Sequence, residues 1–408
     1  MANIYKKPIV VRDPKTGAKV KTKSKKWWGR FTDALGREKR IPLCTDKRAA
    51  QAMLTEAVQK SERQRVGLED PAEDEMQKPI EAHLRDFEAH LVGRDVTEGH
   101  VKASLTQIRK IVDFNRWRIV ADITAADVTR FLNDLRRKGR SAQTHNHYLK
   151  SIKHLTKWLE REKRNTHNPL LHLSRLNVKT DRRHDRRALS EEEFTLLLEA
   201  AETGPPIEGI CGPDRAMMYL LAAYTGFRKG ELGSLTIRSF DLEGDPPTMT
   251  VAAGFSKRRR RDTQVLHPDV VARLEAWLAC RGEPGAKGLL FPVSARSGGQ
   301  ERKTYKMMRE DLAAARRKWI AEKDSRKRKQ SDFLTYCNHD GLFADFHSNR
   351  HTFITNLCRA KVSPKAAQTL ARHSDIRLTM DVYSHVDQKE QVDAIRSLPG
   401  LGKPDQAA

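Results

Sequence analysis

The chain has 408 residues, of which 38% are hydrophobic and 32% charged, a globular composition of a length that suits two or three units. Lys and Arg outnumber Asp and Glu by 77 to 53, leaving a formal charge of +24, which favours a polyanionic partner with nucleic acid first among them. No apolar run reaches bilayer length, and Met1-Ala2-Asn3-Ile4-Tyr5-Lys6 lacks a signal-peptide core. The expected location is therefore the cytoplasm, on the nucleoid, without membrane contact. Cys44, Cys211, Cys280, Cys337 and Cys358 are scattered without a Cys-x-x-Cys, and the 15 histidines show no zinc-like spacing. Neither a disulfide framework nor a bound metal is expected.

Residues 1–68 read as a small basic module. Trp27-Trp28-Gly29-Arg30-Phe31 and Glu38-Lys39-Arg40-Ile41-Pro42-Leu43 flank the turn signal Asp33-Ala34-Leu35-Gly36 and predict a hairpin. Pro8-Ile9-Val10-Val11 is a candidate third strand. A helix over 47–64, capped by Thr45 or Asp46, carries Ala50, Met53, Leu54, Ala57 and Val58 at helical spacing. With Lys19, Lys21, Lys23, Lys25 and Lys26 beside it, such a sheet suits a DNA groove, with Lys25, Trp27, Arg30 and Arg40 as contacts. A solvated basic tail carrying one hairpin has the same composition.

Pro71 and Pro79 mark a linker, after which residues 76–177 form the second unit. Apolar positions recur at three and four residues in four stretches: Ile80 to Leu91, Val101 to Val112, Val128 to Leu135 and Tyr148 to Leu159. That pattern is a four-helix bundle. Thr144, His147, Lys150 and Lys153 place polar and cationic donors on the fourth helix, which suits phosphate and base-edge contacts and equally the wet side of any bundle helix. Residues 179–187, with Arg182 and Arg183, are polar and aperiodic, an interdomain linker suited to tracking a phosphate backbone. Ser190 and Glu193 then form a capping box that opens the last domain, 188–398, with 399–408 as a tail.

The reactive groups gather in this last domain. Thr225-Gly226-Phe227-Arg228-Lys229-Gly230-Glu231-Leu232 puts Arg228 at a helix amino end, where an anion is favoured, and gives Glu231 the means to hold an arginine. Strands expected over 248–252 and 263–267 would carry Lys257 on a hairpin tip, within reach of a groove. Arg258 and Arg259 beside it are phosphate contacts, and Lys257 itself has that plain reading too. His347 and Arg350 are three apart, on one helix face, where an imidazole and a planar guanidinium can grip one phosphodiester. His373 adds a further cation-capable donor, and Tyr383 an oxygen nucleophile. Together they suggest metal-free attack on phosphorus, with charge neutralised by protein cations.

The order arginine, lysine, His-x-x-Arg, histidine, tyrosine from Arg228 to Tyr383 resembles the tyrosine recombinase (phage integrase) family. The Thr225–Leu232 segment resembles its first arginine box and His347-Ser348-Asn349-Arg350-His351-Thr352-Phe353 its second. Leu370-Ala371-Arg372-His373-Ser374 and Thr379-Met380-Asp381-Val382-Tyr383-Ser384-His385 resemble its histidine and tyrosine boxes. Arg372 stands where the family usually has glycine, and Ser348 where an aspartate often follows the histidine.

The resemblance implies a multidomain, mainly α protein with small β-sheets. Its parts would be an arm-type sheet-plus-helix module, a helical core-binding (SAM-like) bundle and a mixed α+β catalytic domain. It implies a site-specific recombinase of a mobile element acting on double-stranded DNA without cofactor, in which Tyr383 makes a 3′-phosphotyrosyl link. Arg228, Arg350 and His373 would bind the phosphate, Lys257 would protonate the leaving oxygen and His347 would serve as base. A monomer in solution would assemble into a homotetramer on DNA, with DNA-bending or directionality factors as accessory partners. A type IB topoisomerase or a catalytically idle DNA-binding regulator are the competing readings.

Overall fold

Local chemistry sets the first elements. The computed structural model describes residues 2–12, 19–68, 70, 72–256, 259–281, 288–323, 325–383 and 395–397, with the backbone alone at 11, 12, 20, 296, 382 and 383. Lys257, Arg258 and the tail 399–408 lie outside the described residues. The chain divides into two units, Met1–Arg182 and Arg183–Ala408.

The first unit opens with strands β1 (Asn3–Tyr5), β2 (Pro8–Arg12), β3 (Lys19–Lys23), β4 (Trp28–Thr32) and β5 (Glu38–Pro42), then helix α1 (Lys47–Arg65). Asp33 builds the β4–β5 turn, its carboxylate accepting from the backbone N–H of Leu35 and Arg37 at 3.0 and 2.9 Å. Pro8–Arg12 is a strand, but it does not join the hairpin. It pairs with Lys19–Lys23 in a separate ribbon, and the third strand of the sheet is Asn3–Tyr5, with Ile4 opposite Gly29. The physical reason is the apolar face: Ile4 packs on the cluster of Phe31, Leu43, Ala50 and Leu54 beneath α1, whereas the lysines of β3 have no such surface to cover. Asp46 caps α1 by accepting from Ala49 N–H at 2.7 Å.

Helices α2 (Ala72–Met76), α3 (Ile80–Val92), α4 (Glu98–Asn115), α5 (Ala125–Arg137) and α6 (Ala142–Arg161) follow. Leu84, Phe87, Ile108, Val128, Ile152 and Leu155 are fully enclosed between them, each such side chain contributing about 1.5–3 kcal/mol by burial. Thr124 and Ser141 cap α5 and α6. Asp181 fastens the end of the unit, accepting from Arg136 Nη1 at 2.6 Å and Ala142 N–H at 2.7 Å.

The second unit contains α7 (Glu191–Glu202), α8 (Gly212–Thr225), α9 (Lys229–Leu232), the antiparallel sheet β6 (Phe240–Asp241), β7 (Thr248–Val251), β8 (Asp262–Val265), then α10 (Pro268–Arg281), α11 (Thr304–Glu322), α12 (Arg326–Gln330), α13 (Ser348–Arg359), α14 (Pro364–Leu370) and α15 (Arg377–Tyr383). The Ser190–Glu193 capping box is present, and Arg187 holds Glu193 through two 2.8 Å bonds. A buried ion pair ties α8 to α11: Arg215 donates to both oxygens of Asp311 at 2.9 Å, and Tyr219 donates to Asp311 at 2.8 Å. Among the described residues no helix is long and apolar enough to cross a membrane.

Candidate active site

Helix α8 ends because Gly226 takes the left-handed conformation, φ +64°, a cap that glycine adopts without steric cost. The turn inserts Phe227 into the core and leaves Arg228 as the N-cap of α9. Glu231 then holds Arg228 twice, accepting from its backbone N–H at 2.9 Å and from Nη1 at 3.0 Å. The expected arginine-holding role of Glu231 is what the geometry displays. Across from this loop, Arg350 lies in the first turn of α13 and is 2% exposed. Its guanidinium donates to the carbonyls of Gly226 and Ala371, so one side chain draws together the loops that carry Arg228 and His373.

His373 shares a 2.9 Å hydrogen bond, through Nδ1, with the hydroxyl of Thr379, which α15 buries completely. Tyr383 ends that helix one turn beyond Thr379; its side chain is outside the described set. His347 is the N-cap of α13. Its backbone N–H donates to Asp345 at 2.9 Å, and Asp345 also accepts from Arg186 Nε at 2.9 Å and bonds His184 at 2.9 Å. Ser348 donates its hydroxyl to the Phe343 carbonyl at 2.9 Å, and the carboxylate that His347 meets, through its backbone N–H, is that of Asp345.

The site is a concentrated positive field. Burial, followed by the charges of Arg186, His351 and Arg350, pushes His347 down to about 3. Burial and the neighbouring Arg186 hold His351 at about 4. Burial, Arg350, Arg228, His351 and Arg372 bring His373 to about 4. Arg350 itself falls to about 9, first through burial and then through Arg228 and Arg372. Desolvation opposes ionisation of Asp345, but hydrogen bonds from Arg186 and His184 keep its carboxyl below the usual range. At neutral pH the three imidazoles are thus uncharged, and among the described residues the four guanidiniums of Arg186, Arg228, Arg350 and Arg372 are set against the carboxylates of Asp345 and Glu231, a balance that favours an entering anion.

Of the sequence candidates, Arg228, His347, Arg350 and His373 share this neighbourhood. Lys257 lies outside the described residues; the strands β7 and β8 that flank its loop pair as expected, Thr250 opposite Thr263. Arg258 lies outside them too, and Arg259 is exposed with φ +51°. In the first unit Lys25, Arg30 and Arg40 are exposed, with Arg30 and Arg40 both reaching Glu38, at 3.3 and 2.7 Å. Lys6 and Lys47 stand over the Trp27 ring at 4.7 and 5.9 Å. On α6, His147 and Lys150 are exposed and Thr144 half-buried, while Lys153 Nζ donates to the carbonyls of Leu171 and Leu173 at 3.0 and 2.6 Å. Arg182 and Arg183 are exposed, but Arg186 and Arg187 of the same stretch bind Asp345 and Glu193, so that half of the linker is fixed to its own domain.

Sequence reasoning missed Asp345 with Arg186, which pair across 159 residues, and Thr379 behind His373. Arg372, noted in the sequence only as a departure from the family's usual glycine, turns out to be enclosed. It has φ +54°, a left-handed backbone that glycine adopts freely, held at a cost of about 1–2 kcal/mol for a side chain.

Comparison with known proteins agrees with this architecture. The phage integrase family matches residues 187–390, and the phage integrase N-terminal SAM-like domain matches residues 83–166. Tyrosine recombinase XerC of Alcanivorax borkumensis is 26% identical over 267 residues, 65% of this chain and 76% of that protein. Among solved structures, the Tn1549 transposon integrase in complex with transposon right end DNA superposes with a TM-score of 0.55 at 16% identity, over 77% of this chain and 98% of that one. A lambda integrase tetramer bound to a Holliday junction gives 0.54 at 18% identity, over 87% and 92%. The chain therefore belongs to the phage integrase family, the tyrosine site-specific recombinases.

Proposed function

We propose that the protein is a mobile-element integrase that cuts and rejoins double-stranded DNA through a 3′-phosphotyrosyl intermediate. The observation that carries this reading is Arg350, whose bonds to the Gly226 and Ala371 carbonyls gather Arg228 and His373 about one point. In this reading Arg228 and Arg350 hold the non-bridging oxygens of the scissile phosphate and His373 donates a third hydrogen bond. The Tyr383 oxygen attacks phosphorus as the bond to the 5′-oxygen breaks; Lys257 gives that oxygen its proton, and the tyrosine proton passes to His347. His347 enters uncharged and able to accept, and the bound phosphate raises its low basicity toward the useful range. Reversal by the partner strand's 5′-hydroxyl restores the tyrosine, so the phosphodiester energy is retained.

Residues 1–68 then serve as the arm-binding module, 76–177 as the core-binding domain and 188–398 as the catalytic domain. The cations at Lys25, Arg30, Arg40, Lys150, Arg182 and Arg259 supply phosphate contacts. The lambda integrase tetramer on a Holliday junction supports a homotetramer on DNA for this chain, with accessory bending or directionality factors setting the direction of reaction. The test is incubation with a nicked, end-labelled core site selected by the protein from a randomised pool. Wild-type protein should become linked to the 3′ end, whereas Tyr383→Phe should bind equally and link nothing. Linkage to a 5′ end, or adduct formation by Tyr383→Phe, refutes the proposal. Efficient relaxation of plasmids lacking the site would transfer it to the topoisomerase reading.

A further inference from the structure

Arg372 occupies a position where the resembling family usually needs no side chain, yet its side chain is 5% exposed and touches three separate segments. Nη1 donates to the Thr225 carbonyl at 3.1 Å and to Gln264 Oε1 of β8 at 3.2 Å, and to the Leu370 carbonyl of its own turn at 3.3 Å. The guanidinium lies over the Phe227 ring, 3.8 Å from its centroid. Nη2 stands 3.9 Å from Glu231 Oε2, whose carboxylate also holds Arg228.

We propose that Arg372 is a positioning residue for Arg228, fixing its loop from behind and sharing its carboxylate. Thr225 and Phe227 bracket the turn from which Arg228 departs, so contacts to both set the direction of the Arg228 side chain. A carboxylate shared by two guanidiniums neutralises one positive charge of two, so Arg228 keeps attraction for phosphate that a private ion pair would spend. The enclosed guanidinium of Arg372 is turned to protein groups, and its effect on a phosphate passes through Arg228. Its bond to Gln264 further connects this loop to β8, the second of the two strands that flank residue 257.

This inference rests on the recombinase reading, in which Arg228 binds the scissile phosphate. Arg372→Gly is the informative variant, because glycine suits φ +54°. Single-turnover adduct formation at saturating nicked core site should fall about 10- to 100-fold, the scale of a small misplacement of a catalytic group, while the Kd for the site stays within about twofold. In an Arg228→Lys background the same substitution should cost less than about twofold, because the group it acts through is already altered. If Arg372→Gly does not fold, Arg372→Lys, which keeps the charge and loses the planar fork, must give the same two results. Equal losses in both backgrounds, or wild-type cleavage by either folded variant, overturn the proposal. Failure of the wild-type protein itself to form an adduct sinks the recombinase reading, and this inference with it.

Discussion

Gly226→Ala separates backbone strain from packing strain at the pivot of the site. The position has φ +64°, and an added Cβ would lie 2.6 Å from Cδ1 of Phe353, a buried ring. The left-handed backbone costs about 1 kcal/mol for a non-glycine residue, and overpacking a filled core adds about 1–3 kcal/mol. The sum is about 2–4 kcal/mol, or roughly 4–16 °C in Tm at about 2–4 °C per kcal/mol for a domain of this size. Gly298→Ala is the matched control, with φ +87° and nothing within 4 Å of its Cβ; it should lose about 1 kcal/mol, roughly 2–4 °C. Calorimetry of both variants measures the difference. Since the Gly226 carbonyl anchors Arg350, Gly226→Ala should also lose adduct formation below its melting temperature, whereas Gly298→Ala should retain it. Coincident melting of the two variants would refute the packing argument, and an active Gly226→Ala would refute the anchoring one.

Acid should loosen the second unit through its imidazoles. His347, His351 and His373 titrate at about 3, 4 and 4 when folded, below the unfolded value near 6.5. The unfolded chain therefore binds more protons, and their stability is complete above pH 6.5 and lost as pH falls toward 4. By pH 5 the loss is about 2 kcal/mol per ring, so at most about 6 kcal/mol for the three together, and about half of that once solvent shielding of the half-buried rings is allowed for. Urea titrations at pH 8 and pH 5 with equal midpoints would contradict this. Asp311→Ala should cost about 3–5 kcal/mol, because it strands the fully enclosed Arg215 without its carboxylate. Below the lowered melting point the variant should still form the covalent adduct; full loss of adduct in the folded variant would show that the α8–α11 tie acts on the site.

Local signals were legible wherever one short segment decided its own state. The Asp33–Gly36 turn, the cap at Asp46 and the capping box at Ser190 and Glu193 each need atoms no more than a few residues apart. The helices of the first unit were equally readable, since a period of three and four residues fixes one buried face. The β1 strand was not, because three residues carry no periodicity. Its place depends on the apolar surface that Phe31, Leu43 and Leu54 form after the chain has returned. The ordered set of Arg228, His347, Arg350, His373 and Tyr383 was visible as a sequence, but the gathering of Arg228, His347, Arg350 and His373 in one neighbourhood was not.

The amino-acid order by itself determined the helix periods, the caps, the turns and the inventory of reactive groups, since all of these are settled by neighbours along the chain. Tertiary structure alone decided that Arg350 would span the Gly226 and Ala371 carbonyls, that Asp345 would find Arg186, and that Arg372 would reach Thr225, Gln264 and Glu231. Those bonds join residues 21 to 159 apart in the chain. A buried guanidinium takes whatever acceptors folding brings within reach, because leaving its donors unmet in the interior costs more than any local preference can offset.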